Sequence, residues 1–409
     1  MRLVTGCLAV LLLSPSVFFS QQQQPVPAAP ADAPEVRAEI AAVEALLPKL
    51  ADRGAALYFL ATDYAHVGEL KKAMELLTEC MKLDEGFDPS ADPALQSLHG
   101  QTEFRSLVEH VLHRYPAVHH AHVAFTVAEK DLIPEGLAVD PDKRLFYLGS
   151  LHRKKIVKIT ESGEVSDFVP ANRADWGPLC GIKVDSADRS VWANVCSDSG
   201  HGAELLHFSL EGKLVERFPA PDAGKHLFND LVLRNRNEIY LTDSLANQAY
   251  RFDRQSRSFT ALSFPRAIYY PNGIALSDDG KWLYVADAFG ILQVDLSNNL
   301  AWEIAPGSFN TLSGVDGLYW YNGSLLALQN GIGLPRLARV RLADDGWHVK
   351  NVEILEYRSP LVNLPTTGAI LNSNFYFISN SQVDNLKDEK IVDQSKLQPV
   401  QISVIPLQQ

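Results

Sequence analysis

Six copies of one short phrase, spread between residues 134 and 371, constrain this chain more than any other feature. Each copy has a variable residue, usually followed by glycine, then an aliphatic strand, a turn and a second strand. It reads Pro-Glu-Gly-Leu-Ala-Val-Asp at 134–140, Leu-Cys-Gly-Ile-Lys-Val-Asp at 179–185 and Phe-Asn-Asp-Leu-Val-Leu at 228–233. It returns as Pro-Asn-Gly-Ile-Ala-Leu-Ser at 271–277, Val-Asp-Gly-Leu-Tyr-Trp at 315–320 and Thr-Thr-Gly-Ala-Ile-Leu at 366–371. The variable positions Glu135, Cys180, Asn229, Asn272, Asp316 and Thr367 lie 45, 49, 43, 44 and 51 residues apart. A strand-built period in the forties is that of propeller blades, each of about four strands. The repeat therefore predicts an all-β six-bladed propeller. The last copy leaves room for strands at 367–371, 375–379 and 401–407. The missing fourth strand is expected from Val123–Val127, so that the two ends of the domain pair and no edge is left open.

Ahead of the repeat the period is helical. Ala41, Val43, Leu46, Leu47 and Leu50 recur mostly at three- and four-residue steps, and a second stretch, 56–66, turns at Gly68 and resumes over 72–83. Residues 56–68 with Ala73, Leu77 and Cys80 resemble one tetratricopeptide repeat. Such repeats bury a continuous core only in about three copies, so one copy is expected to pack on the second domain or on a protein partner. The first twenty residues, with Arg2 and the apolar run Leu8–Phe19, have the layout of an export signal, and the Pro/Ala-rich stretch after them that of a linker. The run is too short to span a bilayer. The reading is thus a signal over 1–20, a linker over 21–34, a helical domain over 35–118 and a propeller over 119–409. The protein is expected to be secreted or periplasmic, without membrane insertion. A net charge of −12 argues against nucleic acid, whose phosphates need a basic face.

The chemistry follows from ring geometry. The innermost strand of each blade lines the axis, so equivalent residues of six copies encircle it. Four of the six carry side-chain oxygen: Glu135, Asn229, Asn272 and Asp316. Two carboxylates and two amides make a hard, oxygen-only donor set that suits calcium, which takes six to eight oxygens in irregular geometry. Without His or Cys in number, the set does not suit zinc. Cys180 and Cys196 face each other across a predicted hairpin, which admits a disulfide in an exported chain. A thiolate nucleophile is the alternative, with His201 and His226 the nearest bases in sequence. Tyr269 and Tyr270, just before Asn272, are candidates for an apolar substrate wall.

At these residues the chain resembles the calcium-dependent propeller hydrolases: the regucalcin/gluconolactonase family and, especially, the paraoxonase/arylesterase family. The resemblance covers nearly all of 123–409 and is sharpest over 270–287, with 228–232 and 315–318 in support. It implies one catalytic calcium held by Glu135, Asn229, Asn272 and Asp316, with hydrolysis of a lactone or related ester. Asp316 is the most plausible base, although calcium ligation would keep its pKa low and leave most of the catalysis to the metal. Two departures are visible. Cys180 and Cys196 stand where paraoxonases carry a histidine pair. A second, structural calcium is not supported, because Asp230 matches one of its acids but Gly136 replaces the other. A non-catalytic propeller that binds a ligand or a protein around a structural metal is the alternative function.

Overall fold

The computed structural model describes residues 34–171, 176–196, 202–307 and 310–407. The expected signal and most of the linker lie outside the described residues, as does His201. The fold is a six-bladed β-propeller preceded by a small helical segment over residues 34–114.

Each blade is a four-stranded antiparallel sheet. Blade 1 runs Pro134–Asp140, Leu145–Ser150, Ile156–Ile159 and Val165–Val169, and blade 2 runs Leu179–Asp185, Ser190–Val195, Glu204–Ser209 and Leu214–Pro219. Blade 3 spans Phe228 to Ala261, blade 4 Ile274 to Ile304 and blade 5 Val315 to Tyr357 in the same order. Blade 6 takes Gly368–Leu371, Asn374–Ile378 and Val400–Pro406 from the C-terminal end, and its outermost strand, His122–Val127, from before blade 1. The expected closure of the ring is therefore present, with Val127 opposite Val400 and His122 opposite Val404. Between the second and third strands of blade 6 an insertion forms two 3-10 turns and the small hairpin Leu386–Lys387 with Lys390–Ile391.

The glycine of the repeated phrase has a packing cause. A Cβ on Gly136 would lie 1.9 Å from the carbonyl oxygen of Cys180, on Gly181 2.6 Å from that of Asn229, and on Gly273 2.5 Å from that of Asp316. In blades 1, 2 and 4 the inner strand thus presses against the ring residue of the next blade, an approach that glycine permits. In blades 1, 2, 3 and 5 the register also shifts at the ring residue: between Pro134 and Leu137, Leu179 and Ile182, Phe228 and Leu231, and Val315 and Leu318. A bulge of this kind re-aims one side chain out of the alternating pattern.

Four α-helices form the N-terminal segment: α1 (Pro34–Leu46), α2 (Arg53–His66), α3 (Leu70–Lys82) and α4 (Thr102–Arg114). Asp52 caps α2 by accepting from Ala55 N at 3.2 Å. Small residues at Ala56, Ala61 and Ala73 let α2 and α3 meet closely, and Cys80 Sγ reaches Gly54 O at 3.3 Å. The segment shares one apolar core with Phe289 and Ile332 of the propeller. It is also pinned by polar contacts. Asp52 accepts from Leu312 N (3.2 Å) and from the Thr311 hydroxyl, Gly86 O accepts from the buried Arg336 guanidinium at 2.9 Å, and Asp88 receives Arg358 at 2.6 Å and the Tyr357 hydroxyl.

Candidate metal centre and substrate pocket

The four ring residues named from the repeat are all buried: Glu135, Asn229 and Asp316 are each 2% exposed and Asn272 8%. Glu135 Oε2, Asn272 Oδ1 and Asp316 Oδ1 have no hydrogen-bond partner among the described residues. An unpaired buried polar atom is costly and rare, so three at one register of one repeat require an explanation. Their neighbours orient them. Asp316 Oδ2 accepts from Asn330 Nδ2 at 2.6 Å, which leaves Oδ1 free. Asn229 Nδ2 donates to Ser244 Oγ at 3.0 Å, and Ser244 Oγ donates to Pro271 O at 2.7 Å.

A third carboxylate adjoins the ring. Asp230 stands where the other copies carry glycine and is 1% exposed. Its Oδ1 accepts from Lys183 Nζ at 3.0 Å and from Leu231 N at 2.8 Å, while Oδ2 has no partner among the described residues. The concentration of negative charge appears in the titration behaviour. Burial, then the neighbouring Asp316 and Asp230, hold the Glu135 carboxyl well above the usual range. Burial pushes Asp316 up to about 7, against the lowering pull of the neighbouring Asn330 and Asn272 amides. A divalent cation would reverse both shifts and fill the empty valences. Among the described residues no three His, Cys, Asp or Glu side chains gather into a metal cluster. The donor set therefore depends on the two amides, and its all-oxygen chemistry fits calcium.

The ring opens to two cavities. One, of about 110 Å³, reaches Asn272 and Asp316 and is walled by Tyr58, Phe59 and Thr62 of α2 and by Tyr270. The other, of about 160 Å³, reaches Glu135 and Asn229 beside the disulfide, under Val383 and Leu386 of the blade 6 insertion. The two tyrosines divide in role. Tyr270 lines the cavity, with its backbone at φ 48°, whereas Tyr269 turns to the helical segment and donates to Glu39 Oε1 at 2.7 Å. Phe59 packs edge-on against Tyr269 and Phe289, which sets the helical wall in place.

Cys180 and Cys196 are joined as a disulfide, with Cα atoms 5.8 Å apart, so neither is a thiolate nucleophile. His226 is also committed. Its Nδ1 is 2.5 Å from Asp243 Oδ2 and its Nε2 is 3.1 Å from Asp222 Oδ1. Arg266 meets Asp287 in the same way one blade on, so the contact is a repeated structural device. Sequence reasoning did not find Lys183, Asn330, Ser244 or the helical wall.

No family model matches the chain, and no curated protein matches it in sequence. Solved structures resemble its fold. The PQQ-bound aldose sugar dehydrogenase of Streptomyces coelicolor is 16% identical with a TM-score of 0.50, over 71% of this chain and 99% of that one. A gluconolactonase of Xanthomonas campestris is 14% identical with a TM-score of 0.48, over 72% and 94%. Virginiamycin B lyase of Staphylococcus aureus is 17% identical with a TM-score of 0.48, over 69% and 87%. At this identity the likeness shows the fold alone.

Proposed function

We propose that the chain is an exported, calcium-dependent hydrolase of small lactones or related esters. The observation that carries the reading is the ring of buried side-chain oxygens, three of them unpartnered, at one register of the repeat. Glu135, Asn229, Asn272 and Asp316 would hold the ion, which when bound supplies Lewis-acid polarisation of a carbonyl oxygen. Asp316 has one oxygen fixed by Asn330 and the other free, which suits it to position a water or accept its proton at the cavity floor. Tyr270 and the α2 residues Tyr58 and Phe59 offer the acyl or leaving group an aromatic wall and keep bulk water away. The disulfide supports an oxidising location outside the cytosol.

The same disulfide favours a second reading, a propeller that binds a ligand around a structural cation. It stands where the resemblance calls for a histidine pair, and His226 is held by two aspartates.

Calcium titration by calorimetry on chelator-treated protein, with a lactone and aryl-ester panel, separates the two. One-site binding with calcium-dependent turnover is expected. Asp316→Asn should lose at least about a hundredfold in kcat while keeping its circular dichroism spectrum. Binding without turnover on any substrate selects the second reading, and turnover equal to wild type in Asp316→Asn removes that residue's role.

A further inference from the structure

Below the ring, a second layer of the channel is set by the same repeat. Three residues on from each ring position stand Ala138, Lys183, Val232, Ala275, Tyr319 and Ile370, and all six line the cavity of about 500 Å³ that opens at one mouth. Four are apolar. The polar pair is Lys183 and Tyr319, with the Lys183 ammonium 5.6 Å from the Tyr319 ring centroid, a cation–π distance. The Tyr319 hydroxyl is held by Gly368 N at 2.6 Å. From this layer Lys183 reaches to Asp230, one residue from the ring ligand Asn229, and closes an ion pair with a carboxylate that is 1% exposed. The lysine side chain itself is 22% exposed.

The charges then balance. Glu135, Asp230 and Asp316 are three buried carboxylates, and the charges of Asp316 and Asp230 both bear on Glu135. A single divalent cation offsets two of them, and the Lys183 ammonium offsets the third. We propose that Lys183 is a built-in counter-cation, which neutralises Asp230 and limits the channel to one bound calcium. The inference rests on the reading of the ring as a cation site. It accounts for an aspartate in the place of the repeat's glycine without a second metal, and it makes Lys183 a positioning residue that sets affinity and stoichiometry.

The test is calorimetric titration of chelator-treated full-length protein with calcium, in wild type, Lys183→Met and the double variant Lys183→Met/Asp230→Asn. Wild type is expected to bind one ion. Lys183→Met, left with an unbalanced carboxylate, should bind a second ion or hold the first roughly tenfold or more tighter. The double variant, with both charges gone, should return to one ion within about threefold of wild type, as coupled residues do in a double-mutant cycle. Removal of one partner of a buried pair can also unfold the chain. If so, folding of Lys183→Met that returns with calcium or with Asp230→Asn supports the pairing. A Lys183→Met protein with wild-type stoichiometry and affinity overturns the proposal. So does a double variant that still binds about tenfold tighter, because Lys183 would then act independently of Asp230. Absence of any calcium binding by wild type is a different failure, since it overturns the ring reading itself and this inference with it.

Discussion

Asp316 combines full burial, one fixed oxygen and one free oxygen, and this gives the centre a defined pH response. Without a cation its carboxyl keeps a proton up to about 7, whereas an unfolded aspartate releases it near pH ~4. Between those values the folded chain holds a proton that the unfolded chain has lost. Its contribution to stability is therefore full below about pH 4 and is lost as pH rises through about 7. Affinity for the proposed calcium has the opposite sign, because its ligand must be a carboxylate. Affinity should fall as pH drops below 7, by up to about tenfold per unit for each proton displaced. Dissociation constants at pH 8, 7 and 6 check this, and a constant value across that range would mean that no proton is exchanged. At this scale the sequence was legible wherever a residue held a fixed place in the repeat. Glu135, Asn229, Asn272 and Asp316 were read that way, and all four are buried around the axis. Lys183 lies three residues past the ring position, in a layer that carries one lysine among five uncharged residues, and nothing at the ring register itself points to it. Asn330 and Ser244 lie after the second strands of their blades, where loop length varies and no register points to them.

The helical segment shows the limit of reading an element by its own period. Helices α1 to α3 fall close to where the apolar spacing put them, and small residues do separate α2 from α3. Nothing in that spacing told which surface the segment would cover. The answer lies in contacts more than two hundred residues away in sequence, such as Glu39 with Tyr269 and Asp52 with Leu312. As a result Phe59, which by sequence is one more apolar helix position, faces the cavity above Asn272 and Asp316. Phe59→Ala should cost about 3 kcal/mol of stability, since it removes edge contacts with two rings. It should also widen the cavity, raising kcat/KM for bulky esters relative to small ones by about tenfold with calcium affinity unchanged. Thermal unfolding together with a size series of esters measures both effects. A lower melting temperature with an unchanged preference would make Phe59 a packing residue only.

For the whole molecule, the count of strands in the last copy was enough to predict how the ring shuts. Val123–Val127 was needed as a fourth strand, and it pairs with Val400–Pro406 as expected. The insertion between Ile378 and Val400 was not legible, because it belongs to no repeat. Its Val383 and Leu397 join Ile133 and Leu364 in a small apolar cluster near the channel. Closure leads to a direct test. A chain that ends at Pro399 lacks the strand that joins the first and last segments, so it should lose its cooperative melting transition and aggregate through the exposed edges. Melting curves and size-exclusion elution like those of the full chain would show that the ring is held by blade-to-blade packing alone.

The contact between Asp52 and Leu312 spans 260 residues of sequence. At ribosomal rates of roughly 5–20 residues per second, about 13 to 52 seconds separate the synthesis of the two partners. Through that interval the propeller surface that α2 will cover does not yet exist. The aromatic face of Phe59 is therefore exposed in the nascent chain, and the wall of the pocket is the first part made and among the last to reach its place.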